Sequence, residues 1–184
     1  MTDTDVSWSR IRTALAAASA ILVAGVSVGA ASSAATTIIA LPSLDQQVIA
    51  GINAARVQHG LGRLRLSLNL RAAARFHSYD MARHGFFSHN SANGASASTR
   101  LAHYYPSTGY TSWQVGETLL WSSPDVGAAG AVHDWLTSPE HRAILLTAAF
   151  REIGVSAVHA TGASGDFHGG AVTLVTADFG DRSR

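Results

Sequence analysis

The chain contains no cysteine and no lysine. Without cysteine there can be no disulfides, thiol nucleophiles, thiolate metal sites or lipid-modified N-terminal cysteine. All 13 basic residues are arginine, which reads as coding bias before functional choice. Charge of either sign is scarce, at 14% of residues with a net charge of +1. That leaves no strong basic footprint for nucleic acid or for an anionic membrane, and no nucleic-acid partner is expected. No phosphate loop or nucleotide fingerprint occurs either. Apolar residues are abundant, at 47% of 184, enough for the core of one domain.

The first forty residues stand apart. Arg10 and Arg12 precede a stretch from Thr13 to Leu41 with no charged residue, apolar from Ala14 to Val28 and small from Gly29 to Ala35. Basic, apolar and then small is the layout of a signal peptide over residues 1–34, with Ser32-Ser33-Ala34 as the cleavage site. The alternative is an uncleaved N-terminal membrane anchor, because the uncharged run exceeds the roughly 20 residues that span a bilayer. Either way the remainder is expected to be secreted, or held at the cell surface by that segment, its only expected route to the membrane. Residues 35–42 read as a linker and 43–184 as the folded domain, expected to be a monomer.

Within the domain, Ser43 can cap a helix from Leu44 to His59 whose apolar residues Leu44, Val48, Ile52 and Ala55 recur at helical spacing, stopped at Gly60. A second helix fits Ser67 to His84, with Leu70, Ala73, Ala74, His77 and Met81 facing the core and Gly85 ending it. From Phe86 to Thr99 the chain is rich in Ser, Asn, Ala and Gly, a surface loop expected to be mobile over Asn90 to Ser98. Thr99 to Tyr104 makes a helical turn, and Val115 to Trp121 a strand entered at Gly116. Pro124-Asp125 opens a helix through Leu136, and Ser138 caps another that starts at Pro139. Ile153 to His159 and Ala171 to Phe179 are the remaining strands. Helices first and strands last predict an α+β fold with helices packed on a mainly antiparallel sheet. Phe87, Trp135, Phe150 and Phe179 are expected in the core.

Several short blocks occur in a fixed order: Asn53-x-x-Arg56, Asp80-Met81-Ala82, Phe87-Ser88-His89, Gly116-Glu117, Trp135-x-x-Ser138-Pro139-x-His141-Arg142, Phe150-x-x-Ile153-Gly154-Val155 and Thr176-x-x-Phe179-Gly180. Together they resemble the CAP superfamily of cysteine-rich secretory, venom-allergen and pathogenesis-related proteins, in its short cysteine-free bacterial branch. The resemblance covers Leu44 to Gly180. It implies an α-β-α sandwich, with helices on both faces of a three- or four-stranded antiparallel sheet. It also implies a cleft of two His and two Glu that binds a divalent metal in some members. His89 and Glu117 match two of these positions. The second Glu and the second His of the pattern fall on Ser138 and Leu174, and His141 is the bacterial candidate for the vacated place.

The residues themselves allow a structural reading beside each functional one. His89 could make a single loop hydrogen bond, and Glu117 could simply accept backbone N–H groups, although a lone Glu in an apolar strand is costly to bury unpaired. His141 lies in the first turn of a helix, where the dipole favours a neutral ring that can accept a proton or bind a metal. His77, Asp80 and His84 share a side of the second helix at ligand spacing, yet His77 belongs to the core stripe, so structural roles are expected. Arg56 near Asn53 reads as structural hydrogen bonding. The first functional reading is an exported binding module, not an enzyme. Its cleft of His89, Glu117 and His141 would take a small polar ligand or a divalent cation such as zinc, the three side chains serving as metal ligands. A lipid or another cell-envelope ligand is equally open. The alternative is a hydrolase using activated water, with Glu117 as general base and His89 or a bound metal as the electrophile.

Overall fold

The structure, a computed structural model, describes residues 35–184. The expected leader over 1–34, cleaved or retained, lies outside the described residues. Among the described residues no helix is long and apolar enough to cross a membrane.

The elements are β1 (Thr37–Ala40), α1 (Pro42–Gln58), β2 (Arg65–Leu66), α2 (Leu68–His84), α3 (Ala97–Tyr104), β3 (Ser112–Ser122), α4 (Ala128–Thr137), α5 (Pro139–Leu145), β4 (Glu152–Ala163) and β5 (Gly170–Ser183). Four strands form an antiparallel sheet in the order β1-β4-β5-β3, and the two-residue β2 adds to β4 in parallel. One face packs on α1, α4 and α5 around Val48, Ile52, Trp135, Leu145, Phe150 and Phe179. The other packs on α2 and α3, with Met81, Leu119 and Leu174 in one cluster and Leu70, Leu101 and Tyr105 in another. This is the expected α-β-α sandwich, with a short fifth strand added.

Several local expectations need correction. Residues 35–42 are not a linker: Thr37-Ile38-Ile39-Ala40 pairs with Val158 to Thr161, and Leu41 N–H donates to Ala157 O. Its β-branched residues suit a strand, but they sit at the end of the uncharged run and read as leader. Leu41, not Ser43, occupies the cap position of α1, with Pro42 in the first turn. Ser138 precedes α5 as expected, yet its hydroxyl donates to Glu140 Oε2 instead of capping a backbone N–H. α4 starts at Ala128 rather than Pro124, because Ser123 Oγ donates to Ala171 O and holds that turn against β5. Phe87 is only half-buried, whereas Trp135, Phe150 and Phe179 are buried. His133 is exposed. Asn90 to Ser98 is a tied loop: Ser91 is buried, Ser91 N–H donates to Ala95 O, and Ala92 N–H donates to Asp80 Oδ2.

The quoted blocks have physical causes. Arg56 is buried and donates to four carbonyls, of Gly62, Leu145, Thr147 and Phe150. Asn53 brackets Leu64 through both its N–H and its C=O. This pair is structural, as the sequence suggested. At Gly154 a Cβ would lie 2.0 Å from the backbone nitrogen of Arg71, so α2 rests directly on β4 there. Gly85 ends α2 in the left-handed region at φ 69°.

Trp135 Nε1–H donates to Leu119 O at 3.0 Å, satisfying a carbonyl of β3, an edge strand. Trp135→Phe keeps most of the packing and removes that donor. Urea denaturation should show a loss of about 1–2 kcal/mol, with an unchanged denaturant slope. Wild-type stability in this variant would mean that water satisfies the carbonyl equally well.

Candidate functional site

Glu117 lies on β3 directly opposite Asp178 of β5, so the two carboxyl groups share a face of the sheet. That face is the one covered by α2, since Ser78 of α2 donates to Thr176 Oγ1 and to Ser156 O nearby. Gly116 is required beside it: on the opposite face a Cβ would come within 2.9 Å of the Phe150 ring. Gly116-Glu117 thus combines close packing on one face with a carboxylate on the other.

Both oxygens of Glu117 are engaged. His89 Nδ1–H donates to Oε1 at 2.6 Å, and Arg100 of α3 donates to Oε2 at 2.5 Å. The Glu117 and Arg100 side chains are each only 2% exposed, while His89 is 26% exposed. Burial alone would raise the Glu117 pKa, but the His89 hydrogen bond and the charge of Arg100 outweigh it and hold it below the usual carboxylate value. Arg100 also donates to His89 O and Ser91 Oγ at 2.9 Å each. One guanidinium therefore fixes both the carboxylate and the loop that carries the histidine.

His77 supports the same loop from below. Its Nε2–H donates to Ser88 O at 2.8 Å, and burial pushes its pKa down, keeping the ring neutral. Asp80 accepts from Ala92 N–H, and His84 approaches it at 3.6 Å one turn along α2. His77 and Asp80 of this helical row thus hold the loop, with His84 beside Asp80.

His141, half-buried in the first turn of α5, is an electrostatic neighbour of His89. Burial first, and then His89, lower its pKa. The neutral ring anticipated from the helix dipole is obtained, through burial and a second imidazole. His141 and His89 are therefore near enough to influence each other electrostatically, and Glu117 holds His89 through Nδ1.

Two functional residues escaped the sequence reading. Arg100 sits in a helical turn 17 residues before its partner Glu117, with no local signal of the pairing. Asp178 is fully buried, and neither oxygen has a hydrogen bond of normal geometry, although Glu117 lies close enough to bias it through a side-chain contact. Burial, then the negative charge of Glu117, raise the Asp178 pKa well above the ordinary value. The pKa values of two neighbouring carboxyls are thus driven apart, Glu117 downward and Asp178 upward. A lone acid in an apolar strand was the available signal, and it was used for Glu117 only.

The three-ligand metal set expected from His89, Glu117 and His141 does not fit this geometry. Among the described residues no group of three or more His, Asp or Glu is arranged to hold a metal ion. The reason is visible at Glu117: each oxygen already accepts a hydrogen bond, and one donor is a cation that repels a second cation. Glu117 orients His89 from behind.

Comparison with known proteins agrees with this fold. The model of the cysteine-rich secretory protein family, CAP, matches residues 49–179. The chain is 33% identical over 112 residues to the uncharacterized membrane protein YlbC of Bacillus subtilis (strain 168), a match covering 60% of this chain and 30% of that protein. Among solved structures, an outer surface protein from Borrelia burgdorferi is similar with a TM-score of 0.66 at 18% identity, over 80% of this chain and 98% of that one. An extracellular SCP-domain protein from Bacillus anthracis str. Ames gives 0.59 at 24% identity, over 78% of this chain and 41% of that one. A cysteine-rich secretory protein from Staphylococcus aureus subsp. aureus Mu50 gives 0.54 at 16% identity, over 78% and 39%.

Proposed function

Because the chain belongs to the cysteine-rich secretory protein family, CAP, we propose that it is an exported binding domain whose cleft takes a small polar ligand through His89 and His141. Export is supported by the basic-apolar-small leader and by the extracellular and outer-surface descriptions of its structural relatives. One observation carries the cleft reading: a partly exposed His89 held at 2.6 Å by a buried carboxylate that is itself locked by Arg100. With Nδ1 committed to Glu117, the ring is held in one orientation at the surface. A side chain fixed in this way contacts a ligand at little ordering cost.

The hydrolase alternative loses its general base. Glu117 has a donor on each oxygen and a lowered pKa, which makes it a weak base. Any proton transfer in this cleft would run through His89.

A thermal-shift panel of small sugars, carboxylates, phosphates and amino-sugar fragments tests the proposal. A ligand at 100 times its dissociation constant stabilises the native state by about 2.7 kcal/mol. The expected result is a compound whose shift disappears in both His89→Ala and His141→Ala. Ligands that shift both variants as they shift the wild type would place binding elsewhere and reject this cleft.

A further inference from the structure

α2 has two unlike faces. Leu70, Ala73, Ala74, His77 and Met81 face inward and are fully buried. Outward, Leu68 is 70% exposed and Phe76 is 43% exposed, with Leu66 of β2 52% exposed just before them. Buried apolar side chains need no explanation, but a row of exposed ones on a single face does. The same stretch concentrates the positive charge. Residues 63–83 hold Arg63, Arg65, Arg71, Arg75 and Arg83 against the single acid Asp80, in a chain whose net charge is only +1.

Arg65 pairs with Glu152 at 3.7 Å, and the two acids beside the remaining arginines, Asp45 and Asp80, have side chains only 11% exposed. Asp80 Oδ2 accepts from Ala92 N–H at 2.8 Å, and Asp45 Oδ1 accepts from Ala157 N–H at 2.6 Å. Asp45 meets Arg71 only at 3.7 Å, and Arg75 lies over the Tyr79 ring at 5.5 Å from its centroid. Between them runs an open groove of about 840 Å³, lined by Leu68, Arg71, Arg75, Phe76 and Arg83. Ala40 and Pro42 line it too.

We propose that the outward face of α2, centred on Arg71, Arg75, Phe76 and Arg83, is a docking surface for an anionic phospholipid leaflet. Arginines interleaved with exposed Leu and Phe match a membrane interface, where the charges meet lipid phosphates and the apolar side chains enter the acyl boundary. A soluble polyanion would use the arginines and leave Leu66, Leu68 and Phe76 in water. His89 and His141 are not needed for this, so the surface is separate from the cleft.

The absence of cysteine allows one label to be placed at will. The full chain carrying Ala72→Cys in the groove, or Ala129→Cys on exposed α4 as a control, is labelled with a polarity-sensitive dye. It is then mixed with vesicles of phosphatidylcholine alone or with phosphatidylglycerol. The leader can insert into both vesicle types, so the dye isolates the contact made by α2. The expected result is a blue shift and intensity gain at position 72 on phosphatidylglycerol vesicles only, reversed by high salt, with no change at position 129. Each arginine near an anionic leaflet is worth about a factor of five. The double variant Arg75→Gln, Arg83→Gln, which leaves the Arg71–Asp45 pair intact, should therefore lower the docked-to-undocked ratio about 30-fold. Equal responses on both vesicle types, or no effect of the double variant, would overturn the proposal. A response to soluble polyphosphate with none to vesicles would overturn it in favour of a polyanion, and a response that grows with protein concentration alone would point to a second copy of the chain.

Discussion

Glu117→Gln is expected to destabilise the domain by about 3–5 kcal/mol, the usual cost of removing one partner from a buried ion pair. Glutamine has nearly the shape of glutamate, so packing is not the cause. Arg100 cannot give up its charge, and it remains 2% exposed with its counter-ion gone. The amide could still accept one hydrogen bond, but it cannot offer two anionic oxygens to Arg100 and His89 at once. Against a typical total stability of about 5–15 kcal/mol this is a large fraction. Removing the stranded charge as well, in Glu117→Gln with Arg100→Met, should recover part of the loss. The recovery will be incomplete, because Arg100 also holds His89 O and Ser91 Oγ. Chemical denaturation of the four proteins, analysed as a double-mutant cycle, measures the coupling. A Glu117→Gln variant as stable as the wild type would show that the pair is solvated in solution.

That result also bears on what the sequence could convey. The order of short blocks was enough for the family and the layers, because each block has a local physical cause. Gly154 marks where α2 touches β4, Gly116 where Phe150 crosses β3, and Arg56 where four carbonyls converge. The core stripe of α2 was readable because helical spacing places Leu70, Ala73, Ala74, His77 and Met81 on one side. β1 was not readable, since Ile38 and Ile39 continue an apolar run and only pairing with β4 separates them from it.

The site was legible by residue type and not by role. His89 and Glu117 were identified, yet their partnership depends on Arg100, whose contact to Glu117 is made by folding α3 over β3. The metal reading was made without that contact. A His and a Glu in one cleft look like ligands until a guanidinium is seen on the carboxylate. Asp178 needed the strand register, because only pairing opposite Glu117 shows that two acids share one buried spot.

Asp178→Asn should therefore stabilise the domain, and by more as the pH rises. The folded state keeps the Asp178 proton to higher pH than the unfolded chain does, through burial and the charge of Glu117. The unfolded chain releases that proton above the ordinary aspartate pKa of about 3.9. Between those limits the native state binds one more proton than the unfolded state, so stability falls by up to about 1.4 kcal/mol per pH unit. The contribution is intact below the unfolded pKa and is lost as the pH climbs toward the raised folded value. Glu117 acts in the opposite sense: its folded pKa is lowered, so its contribution is present at neutral pH and is lost only on acidification. Asparagine copies the shape and neutrality of protonated aspartate and has no proton to lose. It also offers an N–H₂ to the anionic Glu117 across the ladder. Denaturation at pH 4, 5, 6 and 7 should show the two proteins closest at pH 4, with the wild type falling behind as the pH climbs toward the raised folded value. Parallel stability curves for wild type and Asp178→Asn would mean that Asp178 is ionised in the native state and that water reaches its carboxylate.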